Sequence, residues 1–441
     1  MAYSLTIYST SLCNLNCSYC FISKNSALIE LDKYFEEASK GTYYIDLAHE
    51  YVDDITNIDM LEIWGGEPTL YLNRANNLIR QLCNESTNFK NILFSSNYCS
   101  NNFIESFSEF VNFLGTIKDR DFTIHSQISI DGPECITDKY RGYGVTKKII
   151  ENFNKILSLE YPENVKILFT YKPTLSLETA SLLLNKSFAI DYFKFFEDNF
   201  IDKVNNCSNK TFLTMRPSIP NLACPSDYSS DDGKLFAEIE KTLYEIEKEN
   251  KQNGYFKYYK LLRMFARKMK DAPKNGYILK GGFCGTGRNM IGLLPFGKAC
   301  GCHRDFTDFL ERYRKEARED KYEKIINMNS VGSESLNNKI LVFNNKYDAV
   351  KHSERMSAFY DNPSTTIITS IVAMIKMLSM TNQIDEKYID DEECRKAAYK
   401  LVYISSLCVE NNIAMTGNCA ILPVSEYRLF LNGAIDYICK E

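Results

Sequence analysis

The chain has 441 residues, of which 44% are hydrophobic and 25% charged, so it is long enough for two or three domains with sizeable cores. Its 52 basic and 57 acidic residues give a net charge of −5, which excludes a strongly basic nucleic-acid binder. No apolar run reaches membrane-spanning length, and the first residues lack the basic and apolar regions of a secretion signal, so we expect a cytoplasmic protein without a membrane partner.

Short apolar strands alternate with amphipathic helical segments over the first two hundred residues. The predicted strands are Ser4–Ser9, Met60–Trp64, Ile92–Ser96, Gln127–Ile130, Lys166–Tyr171 and Tyr192–Glu197. The predicted helical segments are Tyr34–Ile58, Asn73–Cys83, Asn102–Ile117, Thr146–Leu159 and Leu177–Lys186. This alternation favours right-handed βαβ units and a parallel sheet. Six strands are too few for a closed eight-stranded barrel, so we predict an α/β fold built on a partial (β/α)6 TIM-type barrel.

Three regions divide the sequence. We predict the barrel over residues 1–205, a linker with charged helices over 206–280, and a Gly- and Cys-rich segment followed by a mostly helical C-terminal region over 281–441. The basic and aromatic stretch Lys257–Lys270 could grip an acidic peptide or RNA, but a solvated amphipathic helix is the favoured interpretation.

Unusual residues follow four of the predicted strands. The run Cys13–Cys20 follows the first strand, Gly65–Pro68 the second, Ser95–Asn97 the third and Asp131–Pro133 the fourth. Because the carboxyl ends of parallel strands meet at one edge of a sheet, we expect these four segments to converge on one site.

Cys13, Cys17 and Cys20 have the spacing C-x-x-x-C-x-x-C. In a reducing compartment, clustered cysteines favour metal ligation or thiol chemistry over disulfides. Three thiolates on one loop can bind three irons of a [4Fe–4S] cube and leave the fourth iron open to a substrate or cofactor. The alternatives are buried thiols or half of a zinc site, although no fourth Cys or His lies nearby in sequence.

With the aromatic Tyr19 before its last cysteine, this motif resembles the signature of radical S-adenosylmethionine (radical SAM) enzymes. The run Gly65-Gly66-Glu67-Pro68 resembles the GGEP motif of the same superfamily. The resemblance implies that SAM binds the open iron and is reductively cleaved to a 5′-deoxyadenosyl radical, which abstracts hydrogen from a substrate. We expect the two glycines to let the backbone approach the SAM ammonium group, and the Glu67 carboxylate to accept a hydrogen bond from it.

The end of the third strand extends the resemblance. Ser95-Ser96-Asn97 is similar to the ribose-binding region of the superfamily, where Thr-Asn-Gly is common, although Ser96 and Tyr98 depart from that pattern. Ser96 and Asn97 are therefore candidate SAM ligands, and an ordinary turn after a strand is the alternative.

The end of the fourth strand resembles radical SAM peptide and protein maturases, including anaerobic sulfatase-maturing enzymes. Ser129-Ile-Asp131-Gly132-Pro133 and the following Thr137–Arg141 carry this resemblance, with Thr137 in place of the usual His. It implies that Ser129 and Asp131 face the SAM pocket. Arg141 would pair with a carboxylate of SAM or of the substrate, or would be a surface residue at a helix entry.

The segment from Cys284 to Arg304 resembles the opening of a SPASM or twitch domain. There a cysteine begins a hairpin and a glycine lies five positions before a second cysteine, as Gly297 and Cys302 do. Three interpretations are open. The first is an auxiliary [4Fe–4S] cluster with ligands drawn from Cys284, Cys302 and one or two of Cys300, Cys408 and Cys419. The others are a zinc or other metal site that includes His303, and a hairpin that binds nothing.

We therefore predict a radical SAM enzyme that modifies a peptide or protein, with a flavodoxin or ferredoxin as electron donor and no nucleic-acid partner. The Cys motif begins at residue 13, which leaves no room for an N-terminal peptide-recognition domain and weakens the peptide interpretation. The alternatives are a radical SAM enzyme acting on a small metabolite, a glycyl-radical activase, and a non-catalytic iron–sulfur or zinc protein with a regulatory role.

Overall fold

A computed structural model describes residues 3–20 and 26–217, the segments 221–222, 290–295, 297–301 and 342–343, and the single residues 239, 242, 246 and 249. The chain divides into two compact units. The first unit consists of Met1–Pro173, Phe195–Ser218 and Gly285–Ser353, and the second of Thr174–Lys194, Ile219–Cys284 and Glu354–Glu441.

Eleven strands are described. They are β1 (Tyr3–Thr10), β2 (Ile58–Gly65), β3 (Asn91–Ser96), β4 (Phe122–Ile128), β5 (Val165–Tyr171), β6 (Thr174–Leu175), β7 (Phe212–Pro217), β8 (Asn221–Leu222), β9 (Met290–Leu294), β10 (Lys298–Cys300) and β11 (Val342–Phe343). In the first unit, nine of them form one sheet in the order β11-β10-β9-β1-β2-β3-β4-β5-β7. In the second unit, β6 and β8 form a small parallel sheet.

The six strands β1, β2, β3, β4, β5 and β7 are parallel neighbours in chain order. Right-handed crossovers between strands in this order place the connecting helices on one face of the sheet, as in the wall of a β/α barrel. Among the described strands, the edge strands β11 and β7 do not pair with each other, so the sheet stays open. The predicted α/β fold with a partial six-stranded barrel is confirmed.

Nine α-helices are described. They are α1 (Ser26–Ala38), α2 (Tyr43–Tyr51), α3 (Asn76–Glu85), α4 (Phe103–Gly115), α5 (Glu134–Arg141), α6 (Val145–Leu157), α7 (Leu177–Leu182), α8 (Lys186–Phe196) and α9 (Asp202–Asn205). Short 3₁₀ turns cover Ile55–Asn57, Pro68–Leu70 and Leu72–Ala75, and a π-helical turn covers Glu197–Ile201.

Helix α4 shows how the crossover helices pack on the sheet. Its buried residues Phe103, Phe107 and Phe110 recur at the three- and four-residue spacing that places side chains on one face of a helix. The rings of Phe107 and Phe110 contact Phe94 of β3 edge-on, with ring centroids 6.0 and 6.5 Å apart. Aromatic packing of this kind fixes where β3 ends and therefore where the residues after it lie.

The predicted sixth strand, Tyr192–Glu197, is wrong, because this segment lies in α8 and the turn that follows it. The run of aromatic residues suggests a strand, but the buried residues Ala189, Tyr192, Phe196 and Phe200 recur every three or four positions, which is the period of a helix. The sixth parallel strand is β7 instead. It lies in the segment predicted as a linker, so the sheet extends beyond residue 205. The remaining domain boundaries stay predictions.

The predicted helical segment Tyr34–Ile58 is also divided. Helix α1 ends before Gly41, whose φ of 58° lies in the left-handed region, and α2 begins two residues later.

The predicted hairpin at residues 284–302 is described in part. Strands β9 and β10 pair antiparallel, and Gly297 in the turn between them has a φ of 67°. The hairpin joins the barrel sheet, because β9 pairs parallel with β1. Side chains from α2 fasten it, since the Tyr43 and Tyr51 hydroxyls donate to the carbonyls of Leu294 and Gly297 at 3.1 and 3.2 Å.

Within the part of the chain that the structure describes, no helix is long and apolar enough to span a membrane. The predicted basic helix Lys257–Lys270 and the helical C-terminal region, apart from β11, lie outside the described residues.

Candidate functional site

The carboxyl ends of β1 to β4 lie side by side, and the four unusual segments follow them as predicted. The segment after β1 contacts the segment after β2, because the Gly66 and Glu67 amides donate to the carbonyls of Thr10 and Leu12 at 3.0 and 2.8 Å. The segment after β4 contacts the end of β3, because the Ser129 amide donates to the Ser96 carbonyl at 2.8 Å.

Cys13, Cys17 and Cys20 lie on the loop after β1, which we call the cluster loop (residues 11–20). Cys13 and Cys17 are half-buried and Cys20 is exposed, with the Cys20 amide donating to the Cys17 carbonyl at 3.0 Å. Burial, and then the Glu67 carboxylate, raise the pKa of the Cys13 thiol to about 12. Cys20 and Cys17 also contribute to this rise, so the three thiols act on one another electrostatically. Thiols with a raised pKa become thiolates when a metal binds them and displaces their protons.

The donor set fits an iron–sulfur cluster. Three sulfurs share the loop, and the Leu15 amide donates to Cys13 Sγ at 3.4 Å, a contact of the kind that tunes cluster ligands. Within the described residues, no three His, Cys, Asp or Glu side chains converge as they would on a single metal ion.

Gly65 and Gly66 serve a purpose beyond the predicted one. A Cβ on Gly65 would lie 2.4 Å from the Thr10 carbonyl oxygen, and one on Gly66 would lie 2.3 Å from that of Leu12. Backbone atoms cannot swing away from such a contact as the end of a flexible side chain can. The two glycines are therefore required for the end of β2 to pack against the cluster loop, whether or not they also approach SAM.

The Glu67 side chain is buried and fully engaged. Its carboxylate accepts hydrogen bonds from the Thr69 amide and hydroxyl at 3.1 and 2.5 Å and from the Asn97 amide at 2.7 Å. Burial raises the pKa of this carboxyl against the opposing effect of these hydrogen bonds. Glu67 thus joins the ends of β2 and β3, with Pro68 as the first residue of the 3₁₀ turn that Glu67 caps. Its predicted bond to the SAM ammonium stays a prediction.

Asn97 lies against the cluster loop. Its Nδ2 donates to Asn14 Oδ1 at 2.9 Å and lies 3.7 Å from Cys13 Sγ. Ser96 turns inward instead, with its hydroxyl accepting from the Tyr98 amide at 3.0 Å.

Tyr98 explains the departure from the Thr-Asn-Gly pattern. Its φ is 57°, in the left-handed region that glycine adopts freely. The fully buried Tyr98 is held there by a hydroxyl contact of 2.5 Å with Ser126 and by its ring, whose centroid lies 4.4 Å from that of Phe103. Side-chain packing thus stabilises at Tyr98 a backbone conformation that glycine would adopt without such support.

Asp131, Arg141 and Tyr19 form one buried cluster. The Arg141 Nε and Nη2 atoms donate to the two carboxylate oxygens of Asp131, each at 2.8 Å, and the Tyr19 hydroxyl donates to Asp131 Oδ2 at 2.5 Å. The Arg141 guanidinium lies 5.6 Å from the centre of the Tyr19 ring. Arg141 is 8% exposed, so the alternative that it is a surface residue is wrong.

The same cluster affects the second cysteine. Burial raises the pKa of the Cys17 thiol, and the Arg141 charge opposes this rise. The cluster loop is also fixed here by its backbone, because the Ser18 amide donates to the Tyr140 carbonyl at 2.9 Å.

Thr137 and Ser129 complete this side of the site. The Thr137 hydroxyl donates to the Gly132 carbonyl at 2.6 Å and accepts from the Asp131 and Gly132 amides, so it closes the turn that orients Asp131. The Ser129 hydroxyl lies 3.2 Å from the hydroxyl of Ser95.

Sequence reasoning missed a buried pair beneath the cluster loop. Asp32 of α1 accepts from the Ser11 amide at 3.1 Å and from the Thr10 hydroxyl, and Arg74 Nη1 lies 3.1 Å from Asp32 Oδ2. Arg74 also donates to the Ser9 carbonyl at 2.8 Å. A lone Asp and a lone Arg on amphipathic segments give no sequence signal that would have identified this contact.

A cavity of about 450 Å³ lies beside the cluster loop. Asn14 and Leu15 line one wall, and Gly144, Val145 and Lys148 at the start of α6 line another. The cavity therefore separates part of the cluster loop from the start of α6.

The tentative auxiliary ligands are only partly described. Cys300 is buried in β10 opposite Gly292, where its sulfur would lie 2.5 Å from a Cβ on that glycine. Cys284 and Cys302 lie outside the described residues, so the auxiliary site stays a prediction.

Residues 4–134 match the family model of the 4Fe-4S single cluster domain. This part of the chain is a [4Fe–4S] single-cluster domain. The match includes the cluster loop, the Gly-Gly-Glu-Pro segment and Asp131. It confirms the predicted [4Fe–4S] cofactor.

Curated proteins give no match to the chain. Three solved structures of one protein, anSMEcpe, an anaerobic sulfatase-maturating enzyme, show weak similarity. The native protein with bound AdoMet is 16% identical with a TM-score of 0.49, covering 99% of this chain and 98% of that one. The polyhistidine-tagged form with AdoMet is 16% identical with a TM-score of 0.42 and covers 88% and 97%. The native form with AdoMet and Cp18Cys peptide is 15% identical with a TM-score of 0.41 and covers 87% and 100%. The fold described above follows from the strand order of this chain itself.

Proposed function

We propose that this protein is a radical SAM enzyme that modifies a peptide or protein. The [4Fe–4S] cluster is held by Cys13, Cys17 and Cys20, and the enzyme acts in the cytoplasm with electrons from a flavodoxin or ferredoxin. The observation that carries the proposal is the position of the cluster loop. Hydrogen bonds connect this loop to the segments after β2, β3 and β4.

The cofactors determine what the protein has to provide. When bound, the cluster supplies an electron and SAM supplies the 5′-deoxyadenosyl group that abstracts hydrogen from the substrate. The chain itself must hold three thiolates at fixed positions and place polar groups around SAM. We assign this second role to the Gly66–Glu67 backbone, Ser129 and Asp131, which lie at or after the ends of β2 and β4.

Among the described residues, the Arg141 Nε and Nη2 atoms donate to Asp131, whereas Nη1 takes no part in that pair. A guanidinium held on one side by a carboxylate is fixed in orientation and can bind a second carboxylate on another side. We assign this second carboxylate to SAM or to the substrate.

The peptide or protein substrate is supported by the residues around Asp131. Ser129, Asp131, Gly132 and Pro133 resemble the matching stretch of the peptide and protein maturases, and the β9–β10 hairpin has the form expected of a SPASM or twitch opening. A small metabolite or a partner enzyme that receives a glycyl radical are the alternative substrates.

Iron content and SAM cleavage test the proposal together. We would reconstitute the wild type and the triple variant Cys13→Ala/Cys17→Ala/Cys20→Ala without oxygen, then measure iron, sulfide and 5′-deoxyadenosine. We expect about four irons per chain in the wild type, or about eight with an auxiliary cluster, and a loss of about four in the variant. The matched control, Cys83→Ala, removes a half-buried thiol far from the cluster loop in sequence and should change neither quantity.

The outcomes separate the classes of function. Iron without 5′-deoxyadenosine would favour a non-catalytic iron–sulfur protein, and retained SAM cleavage in the triple variant would overturn the proposal. For the substrate, we would incubate the enzyme with a deuterated mixture of random-sequence peptides. Deuterium transferred to 5′-deoxyadenosine indicates abstraction from a peptide, and its absence favours the alternative substrates.

A further inference from the structure

We infer that Asn97 is a positioning residue for the iron–sulfur cluster, which orients the Cys13 side of the cluster loop and raises the reduction potential of the cluster. This inference rests on the proposed function. It differs from the sequence-based expectation, in which Asn97 contacts the ribose of SAM.

Both amide hydrogens of Asn97 point at the cluster loop. Nδ2 donates one hydrogen bond to Asn14 Oδ1 at 2.9 Å, and it lies within the range of a hydrogen bond to sulfur from Cys13 Sγ, at 3.7 Å. A side-chain amide has two such hydrogens, so the two contacts use its full donor capacity.

The other atoms of Asn97 determine which way its amide faces. The Cys99 amide donates to Asn97 Oδ1 at 2.8 Å, so the oxygen must lie on that side and the nitrogen on the side of the cluster loop. The Asn97 backbone amide donates to Glu67 Oε2 at 2.7 Å. With 5% of its surface exposed, Asn97 has little freedom to rotate.

The backbone after Asn97 is fixed as well. Tyr98 is held in the left-handed region by its buried ring, and Asn152 Nδ2 donates to the Tyr98 carbonyl at 2.7 Å. A non-glycine residue persists in this conformation only where its surroundings enforce it. Here the enforced turn directs the Asn97 amide toward Cys13.

A hydrogen bond to a ligand sulfur changes the electronic balance of a cluster. It withdraws negative charge from the thiolate, which favours the reduced and more negatively charged state and raises the reduction potential. The Leu15 amide also donates to Cys13 Sγ, so two donors meet at this one sulfur. Removal of the Asn97 donor should therefore lower the potential.

The test compares Asn97→Leu and Asn97→Asp with the control Asn164→Leu. Asn164 also loses side-chain amide hydrogen bonds, yet these go to the carbonyls of Ile117 and Arg120, at 2.9 and 3.2 Å, and Asn164 precedes the first residue of β5. We would follow the reduced cluster by electron paramagnetic resonance during a redox titration of each reconstituted protein. We expect a lower potential in both Asn97 variants, with the larger shift in Asn97→Asp because its carboxylate adds negative charge beside Cys13.

A second measurement needs no variant at the cluster. With ¹⁵N-labelled asparagine in the wild type, electron–nuclear double resonance on the reduced cluster should detect a nitrogen at hydrogen-bonding distance from a cluster sulfur, and this signal should persist in Asn164→Leu. If Asn97→Leu fails to bind iron, this signal decides the question.

The failures of the two proposals are distinguishable. A wild-type protein without iron would overturn the proposed function together with this inference. A normal cluster with active SAM cleavage, potentials unchanged in the Asn97 variants and no nitrogen signal would overturn the role of Asn97 alone.

Discussion

Arg141 and Asp131 form a bidentate ion pair, with both bonds 2.8 Å long, between helix α5 and the segment after β4. The Asp131 side chain is fully buried and that of Arg141 is 7% exposed. Burial alone would lower the pKa of the Arg141 guanidinium, but the Asp131 charge outweighs it and raises this pKa above its ordinary value. The Arg141 guanidinium therefore keeps its charge although it is buried. The pair links the cluster loop, through Tyr19, to the wall of the barrel.

Breaking this pair should be costly. Arg141→Leu leaves the Asp131 carboxylate buried without its cation, and we expect a loss of about 3–5 kcal/mol in the free energy of unfolding. Urea denaturation of the protein checks this value. The exposed pair of Lys147 and Glu151, 3.9 Å apart, provides the control, and Lys147→Met should cost about 1 kcal/mol or less. Equal effects for the two variants would contradict the structural role assigned to Arg141.

Gly66→Ala should displace the cluster loop. The added methyl group would lie 2.3 Å from the Leu12 carbonyl oxygen, so one of the two backbone segments has to move. We expect the variant to lose most of its bound iron after reconstitution. Gly41→Ala is the control, because Gly41 has a positive φ but nothing within 4 Å of its Cβ position. It should lose about 1–2 kcal/mol of stability and keep its iron.

Asp32 should contribute to stability beneath the cluster loop. Asp32→Ala removes the acceptor of the Ser11 amide and leaves Arg74 without its nearest carboxylate, so we expect a loss of about 3 kcal/mol. The control is Asp54→Ala, which removes an exposed cap of a 3₁₀ turn and should cost about 1 kcal/mol. Thermal unfolding monitored by circular dichroism distinguishes the two. A loss as small as that of the control would show that Arg74 finds another partner.

Tyr98 offers a test of how packing replaces glycine. Tyr98→Phe loses the hydroxyl contact with Ser126 and should cost about 1 kcal/mol. Tyr98→Gly loses a fully buried ring, worth about 3–5 kcal/mol, and gains about 1–2 kcal/mol from relief of the left-handed backbone, which leaves a net cost of about 1–4 kcal/mol. Chemical denaturation of both variants checks the order. A Tyr98→Gly protein as stable as the wild type would show that the ring contributes little.

Local sequence patterns predicted most of the barrel, because each strand and helix leaves its own periodic signature. Five of the six predicted strands are confirmed, with β4 beginning five residues earlier than predicted. The sixth failed because Tyr192–Glu197 combines strand-forming residues with helical spacing, and the spacing prevails once Phe196 and Phe200 are buried. Strand β7 was missed because it lies in a loop-like sequence and ends in Arg216-Pro217.

The sequence by itself determined the chemistry of the site, since the cysteine spacing, the Gly-Gly-Glu-Pro run and their positions after successive strands are local properties. The tertiary structure alone decided what the surrounding residues contact. In the folded chain, Glu67 accepts hydrogen bonds from Thr69 and Asn97. Arg141 pairs with Asp131, and the Asn97 side-chain amide faces the sulfur of Cys13. These partners lie up to 84 residues apart along the chain. Contacts over such distances depend on how strands align and helices pack, and that geometry has no short-range signature in the sequence.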